Sequence, residues 1–324
     1  MLFFENATPA DDTFQNPQTA PRLSESNKVL AFSKAPVSGE TDGGIINDKW
    51  WALRKIGALS AWQFSVSKGA GQTIALVGAS CAEHPELEGT SLLEASKDNI
   101  RQARVGTCLA SIAVSRQAGE IVGSAPSASI FSTAKSGRSF ADEIEQAIFR
   151  GAGAILVAEG AGLKAADLHA IENAKRRGAV VIVGAGEDDG SEEMPATFVV
   201  VAGSNYQDKL WTGSRTGPDI AFAAPAQSVW GAAVGSDAQV CRVDGTAGAA
   251  ALVAGVCALW RAHHGDDVLS DFVKNRSISI HDLFQSAVGK TARCPNHWDE
   301  ENCGAGIIDA NALLRLPLDI ILQS

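Results

Sequence analysis

No basic run of the kind that grips a phosphate backbone occurs in this 324-residue sequence, which carries a formal charge of -10 and a pI near 5.1. A phosphate backbone or an anionic lipid surface is held by concentrated positive charge, so nucleic acid and membrane are excluded as principal partners. Long apolar runs are missing too. The longest uncharged one, Ala247 to Trp260, falls short of the ~20 residues that span a bilayer and reads as a buried core helix. At the amino end, "MLFFENATPADD" has neither a cationic region nor a long apolar segment ahead of a small-residue cleavage site, which argues against secretion and for a cytoplasmic setting. Cysteine is sparse, with six residues, too few for a disulfide scaffold. Cys81, Cys108, Cys241 and Cys257 sit among apolar or small residues and are expected to be buried, reduced thiols. Cys294 and Cys303 bracket the polar loop "CPNHWDEENC", which allows a disulfide or, with His297, three ligands in a C-x2-H-x5-C array. No fourth ligand is evident, so no metal is expected. Neither a GxGxxG opening a helix after the first strand nor a Walker pattern is present, leaving a nucleotide site without a motif.

What is present is enough apolar material for a sizeable core: 45% of residues are hydrophobic and 32 are Gly. Residues 1–45 carry Pro, Asn, Asp, Ser and Gly without sustained periodicity apart from "KVLAF". They are assigned as a partly irregular extension, whether a remnant propeptide, an interaction arm or a tail. Residues 46–324 form the domain. It opens with "NDKWWALRKIGALSAW", a capping residue followed by apolar positions at helical spacing. Five short Val- and Ile-rich runs follow, at 73–78, 129–135, 154–159, 179–186 and 197–203, with helical patterns at 139–152 and 164–178 between them. Strands buried on both faces and separated by helices imply a parallel sheet with right-handed crossovers, an α/β class. Ligand sites in such sheets gather at the carboxyl ends of the strands, here Gly78-Ala79-Ser80, Ala158-Glu159-Gly160 and Gly184-Ala185-Gly186-Glu187.

The order of segments then becomes informative. "TIALVGASCAEHPEL", "VGTCLAS", "IVGSAPSASIF", "GAVVIVGAGEDDG", "DIAFAAPAQSVW", "GTAGAAALVAGVCALW" and "CGAGIIDANALL" resemble, in sequence, seven segments of the subtilisin-like serine peptidases (subtilases). The resemblance runs from Trp50 to Leu314. It implies a three-layer subtilisin-like fold with a mainly parallel central sheet flanked by helices.

The resemblance also implies where chemistry would reside. The family's catalytic Asp falls on Gly78, with Val77 the other possible occupant. Its His falls on Val105, anchored by Gly106-Thr107, where the family reads HGTHVAG. Its nucleophilic Ser falls on Ala247, within a stretch similar to GTSMAAPHVAGAAAL, and its oxyanion Asn falls on Glu187. A methyl group has no lone pair to attack a carbonyl, and without imidazole at 105 even a hydroxyl at 247 lacks its base. An ionised Glu accepts hydrogen bonds where the oxyanion needs a donor. In subtilisin itself the triad is worth about 10⁶ in turnover and the oxyanion Asn about 10²–10³, values that belong to that enzyme and not to this chain. The expectation is an inactive member that binds a peptide or protein partner, its oligomeric state open. Ala158, Glu159 and Gly160 match the family's groove segment, and Glu159 with Glu187 makes that edge acidic, favouring basic or amine-bearing ligands. Two alternatives stay open: rebuilt chemistry using Cys81 or Cys108 with His84, or the Glu187 carboxylate as a base; and a purely structural assembly subunit. Subtilases often hold calcium in loops, but no segment here matches a calcium-loop pattern and no cofactor is expected.

Overall fold

The computed structural model describes residues 31–33, 47–90, 92–93, 100–134, 137–159, 162–187, 193–235 and 239–323. Most of the extension, including the greater part of residues 1–45, lies outside the described residues, as do Gly160 and the acidic positions Asp188, Asp189 and Glu192.

In chain order the elements are β1 (Ala31–Ser33), α1 (Trp51–Lys55), α2 (Ala58–Phe64), β2 (Thr73–Val77), β3 (Leu92–Leu93), α3 (Ile100–Val114), β4 (Ser129–Ser132), α4 (Phe140–Phe149) and β5 (Ala154–Val157). There follow α5 (Ala165–Arg176), β6 (Val180–Gly184), β7 (Val199–Ser204), β8 (Ile220–Pro225), β9 (Val229–Ala232), β10 (Val240–Asp244) and α6 (Thr246–His264). The chain closes with α7 (Asp266–Lys274), α8 (Ile280–Thr291), α9 (Glu300–Cys303), α10 (Ala310–Arg315) and α11 (Leu318–Ile321).

The central sheet has the order β3-β4-β2-β5-β6-β7-β8, and every described pairing in it is parallel. Successive residues of a strand face opposite sides. Ile74 and Leu76 of β2, Ala154 and Leu156 of β5, and Val180 and Ile182 of β6 enter one core with α3 and α6. Their neighbours Ala75, Val77, Ile155, Val157, Val181 and Val183 enter a second core with α4 and α5. That double burial is why these strands read as continuous apolar runs, and it makes three layers. All five anticipated strands are present, within three residues of their expected ends.

Helix α6 is buried at every position from Thr246 to Arg261, as befits a helix apolar all round. It packs against α3 so closely that a methyl on Gly255 would overlap Ser124 Oγ and lie 2.9 Å from the Ala113 carbonyl oxygen. The expected first helix is two: Gly57, at φ +66°, adopts a left-handed conformation that suits glycine and breaks α1 from α2. A second, antiparallel sheet in the order β1-β10-β9 was not anticipated, and it draws Ala31–Ser33 of the extension onto β10.

Candidate functional site

The carboxyl ends of β2, β5 and β6 lie side by side. β2 pairs with β5, and Ala158 N–H donates to the Val77 carbonyl at 3.0 Å. Gly78 turns the chain out of β2 at φ +81°, a left-handed conformation, and its N–H donates to Glu143 Oε2 at 2.8 Å. Glu143 sits in the first turn of α4, only 7% exposed, and also accepts from Thr133 Oγ1 at 3.4 Å. This buried carboxylate beside Gly78 escaped the sequence reading. Its one signal is an acidic residue four places after the Ser139 cap, ordinary for any helix start.

Val105 is half-buried at the rim of the larger core. The two residues after it place it there. A side chain on Gly106 would overlap the Ser80 carbonyl, and Thr107 Oγ1 accepts from Ala82 N–H at 2.8 Å, so α3 docks directly on the loop after β2.

The start of α6 meets the end of β6. A Cβ on Gly184 would come within 2.8 Å of Ala247 N and 2.6 Å of the Thr246 carbonyl carbon, so glycine permits the approach. Thr246 Oγ1 accepts from Gly186 N–H at 3.0 Å and donates to Glu187 Oε1 at 3.0 Å, while Thr246 N–H donates to the same oxygen at 2.8 Å. Glu187 thus lays a carboxylate on the first turn of α6, where unpaired N–H groups and the helix dipole favour an anion. The residue is exposed as a whole, yet its carboxyl end is turned onto the helix. Partial burial of that carboxyl raises its pKa, and the two Thr246 bonds offset only part of the rise. Ala247 follows, 4% exposed, its methyl part of the core. Glu159 is exposed at the end of β5, next to β6.

The loop bearing Glu187 is held from behind. Arg215 donates from Nε to the Ala185 carbonyl at 2.8 Å and from its backbone N–H to the Gly186 carbonyl at 2.9 Å. Its guanidinium engages both Asp219 carboxylate oxygens, at 2.9 and 2.6 Å, with both side chains almost fully enclosed. Burial alone would raise the Asp219 carboxyl. The bonds from Arg215 and Met194 N–H and the Arg215 charge outweigh it, and the net shift is downward. Sequence reasoning missed this pair, whose only trace is an Arg and an Asp four residues apart.

Neither ring nitrogen of His84 is bonded to a thiol. His84 accepts from Glu86 N–H on Nδ1 at 3.1 Å and has Nε2 3.1 Å from the Ala233 carbonyl, so both ring nitrogens serve the backbone. Cys81 is fully buried, and burial pushes its thiol up to about 12. Cys108 meets the thiol of Cys241. Cys294 is an exposed free thiol with Sγ 3.3 Å from Glu300 Oε1, and Cys303 is buried and also free. Among the described residues no three His, Cys, Asp or Glu side chains gather as a metal-holding group, and no helix is long and apolar enough to cross a membrane.

Residues 97–306 match the model of the subtilase family, more than half of the chain. No curated protein matches the sequence. Solved structures share the fold. The prenylagaramide maturation protease PagA superposes with a TM-score of 0.63 at 21% identity, covering 83% of this chain and 99% of its own. MycP1 with its N-terminal propeptide removed gives 0.63 at 21%, covering 82% and 97%. Fervidolysin from Fervidobacterium pennivorans, a keratinolytic enzyme related to subtilisin, gives 0.65 at 21%, covering 91% of this chain but 50% of its own.

Proposed function

The chain belongs to the subtilase family, and on that footing we propose that it binds a peptide or protein partner without hydrolysing it, in a reducing cytoplasm. One observation carries this reading. Where a subtilase of ordinary chemistry needs a hydroxyl at the start of α6 and a donor facing it, this chain has the Ala247 methyl and a Glu187 carboxylate bonded to Thr246. A carboxylate there repels a developing oxyanion, and an aliphatic Val105 moves no proton.

Binding does not need those groups. A strand laid along backbone edges is held by main-chain hydrogen bonds, and side chains select among sequences. Glu159, exposed at the end of β5, and the Glu187 carboxylate at the end of the adjacent β6, together with the net charge of -10, favour a peptide rich in Lys or Arg. The test is twofold. A fluorophosphonate probe should leave the protein unlabelled, and labelling would place a nucleophile where Ala247 stands. At low salt a cationic peptide library should be retained over an acidic one, with the preference falling several-fold in Glu159→Gln/Glu187→Gln. Equal retention of both libraries refutes the acidic groove.

A further inference from the structure

Cys108 and Cys241 lie far apart in sequence, on α3 and β10, yet their sulfurs are neighbours. In the β9–β10 pair Cys241 stands directly opposite Gly231. Opposed residues of antiparallel strands project to one face, their Cβ atoms about 4.5–5.5 Å apart. A Cβ built on Gly231 would fall on Cys108 Sγ. The α3 sulfur therefore fills the place left by the missing side chain at 231, on the face to which the opposed Cys241 side chain projects.

The two thiols differ in a way that suits sequential chemistry. Cys108 is fully buried, whereas Cys241 is half-buried and reaches solvent. The hydrogen bond from Cys108 lowers the Cys241 thiol pKa, burial opposes, and the Arg104 charge, four residues before Cys108 on α3, lowers it further, to a net decrease. The other cysteines go the opposite way: burial pushes Cys81 and Cys257 to about 12, and Cys294 and Cys303 are raised as well. A thiol that is solvent-accessible, more readily ionised and backed by a second thiol is the arrangement that oxidants select.

We propose that Cys108 and Cys241 form an oxidisable dithiol, in which a peroxide converts Cys241 to its sulfenic acid and Cys108 then closes a disulfide between α3 and β10. In the first step the Cys241 sulfur attacks one peroxide oxygen. The O–O bond breaks, the sulfur loses two electrons and one water leaves. In the second the Cys108 sulfur attacks the sulfenic sulfur, the S–O bond breaks, and the departing oxygen takes the Cys108 proton as a second water. Two thiols and one hydrogen peroxide thus give one disulfide and two waters.

The bridge would tie the helix that bears Val105 to the strand on which the extension pairs. Cys108 is one helical turn beyond Val105, and β10 carries the β1 strand of the extension. Closing a loop of about 130 residues is expected to raise Tm by about 8 °C.

The reduced, desalted protein is treated at neutral pH with about one equivalent of hydrogen peroxide. The expected result is a mass lower by about 2 Da, a peptide map joining residues 108 and 241, and a Tm gain that dithiothreitol reverses. In Cys108→Ser, Cys241 should stop at the sulfenic acid and be captured by dimedone; in Cys241→Ser, neither the mass loss nor the link should form. Oxygen added at Cys294 in place of the mass loss, a link between any other pair, or a Cys241 inert to dimedone in Cys108→Ser overturns the proposal. The parent protein's map decides the matter even where a variant fails to fold.

Discussion

Acidification should destabilise this protein through one imidazole in particular. His281 of α8 is fully buried against β6. Val180 N–H is taken by the Gly153 carbonyl on the β5 side, so Val181 N–H points toward β7, whose pairing with β6 begins only at Ile182. His281 Nδ1 accepts that N–H at 3.3 Å, while Nε2 has no partner among the described residues. A proton on Nδ1 would therefore destroy the bond and charge a group sealed from water. Burial chiefly, and the charge of Lys175, push its pKa down to about 4 from an ordinary 6.5, against a smaller opposing pull from Asp282. The folded imidazole binds a proton less readily than the unfolded one. Its contribution is therefore intact above about pH 6.5, declines as pH falls, and is fully lost below about 4. The total is about 3 kcal/mol, of which about 2 kcal/mol is gone by pH 5. His264 shifts in the same direction, by burial and then the His263 charge, but water reaches it and its share is smaller. Glu187 and Asp244, with raised carboxyls, run the other way, and the lowered Asp208, Asp219 and Asp282 act only at lower pH. Comparison with His281→Gln isolates the term, because Gln retains an acceptor for Val181 N–H and does not titrate. Urea unfolding between about pH 7.5 and pH 5 should show the parent losing about 2 kcal/mol more than the variant. Equal losses in the two proteins, or an NMR titration of His281 near 6.5, would refute the reasoning.

Gly255→Ala should cost about 1–3 kcal/mol by forcing α6 away from Ser124 and Ala113, and adding Ser124→Ala should recover part of the loss in the same unfolding assay. Arg215→Ala leaves Asp219 buried without its cation and should cost about 3–5 kcal/mol, whereas the double variant Arg215→Leu/Asp219→Leu should cost less than the single one. Glu187→Ala removes the acceptor that caps α6 and should cost about 1 kcal/mol at neutral pH, measured as a shift of the urea midpoint at unchanged slope.

The parts of this fold that were legible from sequence are those where burial alone decides the pattern. β5, "AILV", and β6, "VVIVG", are buried on both sides, so their residues had to be uniformly apolar, and the helices that precede them, α4 and α5, carry Ser139 and Gly178 where a cap and a left-handed end belong. β10, "VCRVD", shows no regular alternation of burial. Its strand character depends on pairing with β9 and with Ala31–Ser33, and no local signal reports that partner. The break at Gly57 was likewise hidden. Apolar spacing continues through it, and what ends α1 is a backbone conformation near which Asp309 and Asn311, distant in sequence, leave no room for a side chain.

The candidate site divides along the same line. Glu187 and Ala247 were singled out because flanking residues anchor their positions in the chain. Which atom each faces was not legible, since that depends on β6 delivering Gly186 and Glu187 to the first turn of α6. Several residues secure this arrangement. Gly184 permits contact, Thr246 Oγ1 takes Gly186 N–H, Arg215 holds two carbonyls of the loop, and Gly106 and Thr107 dock α3 on the chain after β2. Each is fixed by backbone geometry that would collapse on substitution, at the cost of a strained contact or an unpaired buried group. Positions 78, 105 and 247 carry no such constraint from the scaffold beyond what Gly78 needs for its turn and Ala247 for its packing.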